Sequence, residues 1–345
     1  MSHHKSIGNA SKFLRSALTK LASNRVVNTA FRLTVTTVII VLLLTNIDIR
    51  EFIKEIDGIS LDLILIIFIA FLVNNFLSAI RWKLILSSLG VNETLSKVFL
   101  IYFISFFWSS FLPSTIGGDG YRFFAMRKGR DETNAKIISS ILLDRGIGLI
   151  GLLLLHFLLA GMFLKIIITT PILLWIELGG ILGVIGIVLS WANIEVLLRL
   201  PVINNFYKKL REILRLLRIQ NLKIVSLAIA LTLVFNLISG WAWVMYYSAA
   251  GASPAIQLIL YASTLSNLLG MIPITINGIG LVEFAQVIIV GSQNVPKEII
   301  IEAAIYLRVM GIIIATISGL AYLVNGLVIR QTNSNTSVSN GPDKK

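Results

Sequence analysis

Arg145 and Arg308 are guanidinium groups set inside long apolar runs, and Asp119 and Glu283 are carboxyl groups at glycine-rich breaks in such runs. A charge held at mid-bilayer costs at least about 3 kcal/mol on insertion scales, so such residues serve a ligand or a tight pair. The planar guanidinium fork can give two hydrogen bonds at once to one phosphate. A nearby carboxylate can hold an amine, carry a proton or neutralise the arginine. Asp144 adjoins Arg145, but neighbours i and i+1 on a helix do not face each other. Asp119 and Glu283 are better placed as partners. Two readings stand. In one, Arg145 and Arg308 bind a lipid phosphate while Asp119 and Glu283 take a headgroup amine or protons. In the other, the arginine–acid pairs pin hairpins to helices.

The two breaks resemble each other. Pro113-Ser114-Thr115-Ile116-Gly117-Gly118-Asp119-Gly120 and Pro273-Ile274-Thr275-Ile276-Asn277-Gly278-Ile279-Gly280 share Pro-x-Thr-Ile-x-Gly-x-Gly at an offset of 160 residues. Glycine permits positive φ and close backbone approach. A helix that starts after such a turn presents free N–H groups and its positive dipole end to an anion. The candidate binding residues of the first break are Pro113, Gly117, Gly118, Asp119 and Arg122, with Asp144 and Arg145 downstream. Those of the second are Asn277, Gly278, Gly280 and Glu283, with Arg308 downstream.

Other residues carry less. The chain has no cysteine, which excludes disulfides, thiolate metal sites and a cysteine nucleophile. No H-E-x-x-H, G-x-S-x-G or phosphate-binding GK[ST] loop is present, and no metal or cofactor is expected. The chain therefore does not read as an enzyme. His156 lies in an apolar stretch without acidic neighbours in sequence and reads as a satisfied core histidine. Asn75 and Asn236 fit helix–helix hydrogen bonds as well as ligand contacts. The aromatic run Phe103, Phe106, Phe107, Trp108 and Phe111 reads as packing.

These residues need a membrane to position them. Apolar residues make up 56% of the 345 and charged residues 14%, against about 25% charged in soluble domains. Several runs reach the roughly 20 residues that cross a bilayer. The net charge of +13 fits cytoplasmic loops and anionic lipid. No basic-aromatic module accompanies it, so nucleic-acid binding is not expected. The basic segment 1–30 lacks acids and leads into no A-x-A-like cleavage site, so it reads as a cytoplasmic N-terminal segment and not a cleaved signal.

Six full spans are expected, at about 31–47, 61–86, 137–162, 171–191, 223–247 and 299–327. Arg81-Trp82-Lys83 reads as an interfacial anchor on the cytoplasmic side. Residues 98–112 are too short to span, and the basic group Arg122, Arg127, Lys128, Arg130 and Lys136 follows. Both facts fit a re-entrant hairpin that enters from the cytoplasm and turns at 113–120. Residues 256–271 and 281–292 form a second hairpin from the opposite side. Irregular backbone at membrane depth must line a cavity or lie within protein. Gly179, Gly180, Gly183 and Gly186 read as a close-packing stripe. Residues 196–222 carry Arg199, Lys208, Lys209, Arg211 and Arg215 with an apolar stripe, as an amphipathic connector on anionic lipid would (the basic stretch runs on to Lys223). The polar tail 329–345 reads as disordered, and both termini as cytoplasmic.

The domain 31–328 thus divides into halves of about 60–165 and 223–328. Each half runs span, glycine-turn hairpin, then a span with Arg-x-x-Gly, at Arg145–Gly148 and Arg308–Gly311. Asn75 and Asn236 precede the two prolines by 38 and 37 residues. The loop charges orient the leading spans oppositely. The expected fold is an all-α polytopic membrane protein: six spans and two re-entrant helical hairpins in an inverted-topology repeat.

Pro113 to Arg122, the Asp144-Arg145 pair and Pro273 through Gly280 to Glu283 resemble the signatures of the lysylphosphatidylglycerol synthase transmembrane-region family, also called flippase-like. The resemblance covers about residues 30–328. It implies a multi-pass inner-membrane protein that moves or presents lipids. In full-length synthases of the family this region is fused to a soluble aminoacyl-transferase domain. Only 15 residues follow Arg330 here, so the chain is not expected to aminoacylate lipid. It departs from a symmetric pattern at Asn277, opposite Gly117, and at Ile279, opposite Asp119. The two half-sites are therefore expected to be chemically unequal.

The functional expectation is a lipid flippase or transporter for an anionic phospholipid or polyprenyl-phosphate-linked headgroup. The alternative is an accessory subunit that docks a separate soluble lipid-modifying enzyme through the basic segment 196–223.

Overall fold

In the computed structural model, residues 60–111, 116–127, 131–192, 222–272 and 278–339 are described. They are all-helical, with no strand among them. The helices are α1 Leu61–Ser88, α2 Leu95–Phe111, α3 Ile116–Met126, α4 Asp131–Met162, α5 Leu164–Thr169 and α6 Pro171–Ala192. After these come α7 Leu222–Ala249, α8 Ile256–Gly270, α9 Leu281–Val290 and α10 Lys297–Ser339. The chain divides into two compact units, Glu55–Ala315 on the one hand and Met1–Lys54 with Thr316–Lys345 on the other. All that follows concerns the first, apart from the far part of α10, whose Ser318 is buried and whose Leu320 is exposed.

Among the described residues, four helices are long and apolar enough to cross a membrane: α1, α4 from Thr133, α7, and α10 as far as Val324. The expected span at 31–47 and all but the last residue of the connector 196–222 lie outside the described residues, as do Pro113 and Asn277. The expected fourth span falls on α6, whose described apolar stretch Pro171–Gly186 is shorter than those four. Its glycines do not behave as a packing stripe: a Cβ built on Gly179, Gly180, Gly183 or Gly186 meets no described atom within 4 Å. Leu154, Leu158, Trp175 and Leu182 are large apolar side chains that stand exposed, the surface a bilayer would cover.

Local sequence explains the boundaries. Ser60 caps α1, its hydroxyl accepting from the Leu63 N–H at 3.3 Å. The helix ends where Gly90 takes φ +77°, with Gly90 N–H bonded to the Ser87 carbonyl and Val91 N–H to the Leu86 carbonyl. This is the paired-bond C-cap that needs a left-handed residue, and glycine takes that conformation without a Cβ penalty. α7 ends the same way at Gly251, φ +74°, with Ala252 N–H bonded to the Tyr247 carbonyl. The lengths also recur. α1 to α4 have 28, 17, 11 and 32 residues, and α7 to α10 have 28, 15, 10 and 43.

Each pair of short helices packs antiparallel. Gly118 of α3 lies against Ser109 and Ser105 of α2, while Tyr121, further along α3, stacks on Trp108. Gly278 approaches Gly270, and further along Ser266 donates to the Val282 carbonyl at 3.2 Å and accepts from Gln286 at 3.2 Å. A separate apolar core surrounds each pair. One gathers Ala79, Trp82 and Leu86 of α1 with Val98, Met126 and Ile141 around α2–α3. The larger one gathers Leu155, Leu173, Tyr247, Tyr261, Ile289 and Ala303 around α8–α9.

Candidate functional site

The first site begins with a close approach of backbones. A Cβ on Gly118 would stand 2.0 Å from Ser109 Oγ and 2.7 Å from the Ser105 carbonyl oxygen, so only glycine lets α3 lie this near α2. That approach sets Asp119 in the first turn of α3, where a carboxylate is favoured by the helix dipole. Arg122 follows one turn later, and its guanidinium lies 4.1 Å from the Trp82 ring centre and 4.7 Å from that of Tyr102. A desolvated contact of this kind contributes about 2 kcal/mol.

Five charged side chains then form one chain of hydrogen bonds. Arg81 Nε donates to Asp144 Oδ1 at 2.7 Å, and Arg122 Nη2 donates to Asp144 Oδ2 at 2.9 Å. Arg122 Nη1 reaches Asp119 Oδ1 at 3.3 Å. Arg145 grips the same carboxylate with two nitrogens, Nε to Oδ2 and Nη2 to Oδ1, each at 3.0 Å. Arg81 Nη1 also donates to Thr232 Oγ1 of α7 at 2.9 Å. Room for that guanidinium is made by Gly148, whose Cβ would come within 3.4 Å of Arg81 Nη1.

Charge and exposure divide this network in two. Among the described residues three guanidiniums face two carboxylates, one positive charge in excess. The Arg122 and Asp144 side chains are 2% and 1% exposed, whereas those of Arg145 and Asp119 are 36% and 24% exposed. Breaking a buried ion pair leaves an uncompensated charge and costs roughly 3–5 kcal/mol. An exposed pair is worth only about 0–1 kcal/mol. Asp144 with Arg81 and Arg122 is thus the fixed frame, and Arg145 on Asp119 is the exchangeable end. Arg122 Nε is buried and donates to no described atom.

The second site has a different balance. Gly278 and Gly280 both take positive φ, +72° and +86°. The Gly280 N–H donates to Glu283 Oε2 at 2.7 Å, which caps the start of α9. The other oxygen, Oε1, accepts from Arg308 Nη2 at 2.5 Å. Among the described residues this pair joins α9 to α10.

The sequence-derived candidates therefore fall into two sets. Gly117, Gly118, Asp119, Arg122, Asp144 and Arg145 gather on α3 and α4, while Gly278, Gly280, Glu283 and Arg308 gather at the start of α9 and on α10. Asn75 bonds only to its own helix, at the Phe71 carbonyl, whereas Asn236 accepts from Asn267 of α8 at 3.4 Å. Its neighbour Asn74 is the one that bridges helices, donating to Ser239 of α7 at 2.9 Å.

The expected interfacial anchor is corrected here. Arg81 and Trp82 are 8% and 0% exposed and point into protein, because Asp144 takes the guanidinium and Ser140 accepts from Trp82 Nε1 at 3.0 Å. Arg81 is the site member that sequence reasoning missed. The available signal was Asp144, an acid inside an apolar run that needed a cation other than its own neighbour.

Comparison with known proteins places the chain among membrane proteins. The family model described as "Lysylphosphatidylglycerol synthase TM region" matches residues 29–319. The UPF0104 membrane protein MJ1078 of Methanocaldococcus jannaschii is 26% identical over 196 residues, covering 55% of this chain and 81% of that protein. No solved structure matches.

Proposed function

Because the chain belongs to the lysylphosphatidylglycerol synthase TM region family, a family of membrane proteins, we propose that it is a lipid transporter of flippase type, carrying an anionic lipid headgroup between leaflets. The observation that carries this reading is the surplus guanidinium charge around Asp119 and Asp144, with its outer member partly open to solvent. The ligand is a phospholipid or a polyprenyl-phosphate-linked lipid. Its phosphate takes over the two-pronged grip of Arg145 in place of Asp119, and the headgroup leaves the buried Arg81–Asp144–Arg122 frame intact. Asp119, once released, is free to receive a headgroup amine. Gly117 and Gly118 shape the start of α3, Gly278, Gly280, Glu283 and Arg308 form its counterpart at α9, and Pro113 and Asn277 are assigned to the same two sites by sequence.

The proposed architecture is an inverted-topology repeat of six spans and two re-entrant hairpins in the cytoplasmic membrane, with cytoplasmic termini. The recurring helix lengths and the matching C-caps at Gly90 and Gly251 support it. Movement of one repeat against the other would open the site to each leaflet in turn. The reading is non-enzymatic: no catalytic motif accompanies the charges.

The test is translocation of fluorescent phosphatidylglycerol, lysylphosphatidylglycerol and a polyprenyl phosphate in vesicles containing the purified chain. Transfer of at least one of these above protein-free vesicles, lost on Arg145→Ala, is the expected result. Folded protein that moves none of them overturns the reading.

A further inference from the structure

His156 was expected to be a satisfied core residue without an acid near it in sequence. The fold brings one. His156 Nε2 lies 3.1 Å from both carboxylate oxygens of Glu177 on α6. Tyr261 of α8 donates its hydroxyl to Glu177 Oε1 at 2.6 Å and stacks on the imidazole with ring centres 5.4 Å apart. His156 Nδ1 lies 3.0 Å from Thr264 Oγ1, also on α8. Three helices therefore meet at one polar cluster inside the larger apolar core, where Leu155, Leu159, Ile167 and Leu173 are buried.

The hydrogen bonds fix where the protons are. Thr264 spends its only hydroxyl hydrogen on the Tyr261 carbonyl, 2.8 Å away. Its oxygen can then only accept from Nδ1, so Nδ1 carries a hydrogen. Nε2 faces two carboxylate oxygens and no donor, so the gap between them must hold a further proton. That proton sits on the imidazole or on the carboxyl, and the pair is neutral either way. Removing it leaves a lone pair aimed at a carboxylate and one uncompensated negative charge in apolar surroundings, which is expensive unless the cluster opens to water.

We propose that His156, Glu177 and Tyr261 form a proton-binding site whose occupancy latches α6 and α8 onto α4, so that lipid movement is coupled to protonation. The coupling rests on the transporter reading above; the proton site does not. Binding takes one proton from water onto the pair and brings its charge from −1 to zero, and release returns it. α8 is half of the second hairpin, so the latch acts directly on one of the two glycine turns. Among the described residues no titratable group other than Tyr261 is hydrogen-bonded to the pair, and Tyr306 of α10, in the same core, packs on Tyr246. On α4 the nearest are Asp144 and Arg145, engaged with Arg81, Arg122 and Asp119. On α7 Tyr247 donates to Gln286, on α9 Glu283 is held by Gly280 and Arg308, and Lys165 of α5 is exposed.

The chain has three histidines, His3, His4 and His156, which makes nitrogen NMR of the ¹⁵N-histidine-labelled full chain in nanodiscs a direct readout, with His156→Gln identifying the signals. The expected result is an Nδ1 that stays protonated while the Nε2 signal titrates, with a midpoint in Glu177→Gln that differs from wild type. Tyr261→Phe keeps the volume and gives a smaller displacement. A wild-type Nε2 signal that does not move across the accessible pH range, or a Glu177→Gln midpoint equal to wild type, overturns the site. In phosphatidylglycerol vesicles, a one-unit pH gradient should shift the leaflet distribution by up to about tenfold per coupled proton in wild type and not in Glu177→Gln. Equal responses overturn the coupling. Absence of all lipid movement, with the NMR titration intact, removes the transporter reading and leaves the proton site standing.

Discussion

Asp144 Oδ2 accepts a 2.9 Å hydrogen bond from Arg122 Nη2, and both residues are 1% exposed. With Arg81 on the other oxygen at 2.7 Å, this carboxylate ties α1 and α3 to α4. Asp144→Asn keeps the shape but removes the charge that two buried guanidiniums share. A loss of about 3–5 kcal/mol is expected. Thermal unfolding in detergent, together with the fraction of monodisperse protein, checks it.

Arg145 is the exposed end of the same network, so its variants should separate stability from transport. Arg145→Ala should shift stability by no more than about 1 kcal/mol while abolishing lipid movement. Arg145→Lys keeps the charge and loses the fork, and should retain only a small part of the rate. Translocation and melting curves measured on the same preparations decide this. Full activity in Arg145→Lys would show that point charge alone is sufficient.

Two glycines two residues apart in the first turn predict opposite outcomes. Gly118→Ala must displace α3 from α2, because the new Cβ meets the Ser105 carbonyl as well as a side chain. A cost of about 1–3 kcal/mol is expected. Gly120→Ala meets nothing within 4 Å and should be neutral or slightly stabilising. Comparing the two melting temperatures, with Ser109→Ala added to Gly118→Ala, isolates the backbone clash that the side-chain change cannot relieve.

In the second turn the constraint is conformational. Gly280 has φ +86° and open space around it, so Gly280→Ala should cost about 1–2 kcal/mol through backbone strain alone. Gly278 combines φ +72° with a 2.9 Å approach of its would-be Cβ to Gly270 Cα, and Gly278→Ala should cost more. Glu283→Ala should loosen the start of α9 by about 1 kcal/mol, read as faster amide exchange in its first turn.

What the sequence made legible follows from rarity. In an apolar chain, a charge or a glycine-rich break stands out, and Asp119, Arg145, Glu283 and Arg308 are all visible that way. The pairing of Arg145 with Asp119 follows from helix geometry, which turns Asp144 elsewhere. Arg81 was hidden because it ends an apolar run beside Trp82 and Lys83, the arrangement of a headgroup anchor. Its burial depends on a partner 63 residues away. Glu177 and His156 were each the lone titratable group of an apolar stretch, and only tertiary packing joins them. The α6 glycines went the opposite way: their spacing permits close approach, yet no described atom lies within 4 Å of a Cβ built there.

α4 carries Asp144 near its middle and His156 twelve residues on, about 18 Å along the axis. Between them Gly151 rests on Thr232 of α7, so close that a Cβ would stand 2.7 Å from the threonine methyl. A rigid helix tilted about that contact would carry the arginine cluster and the histidine in opposite directions.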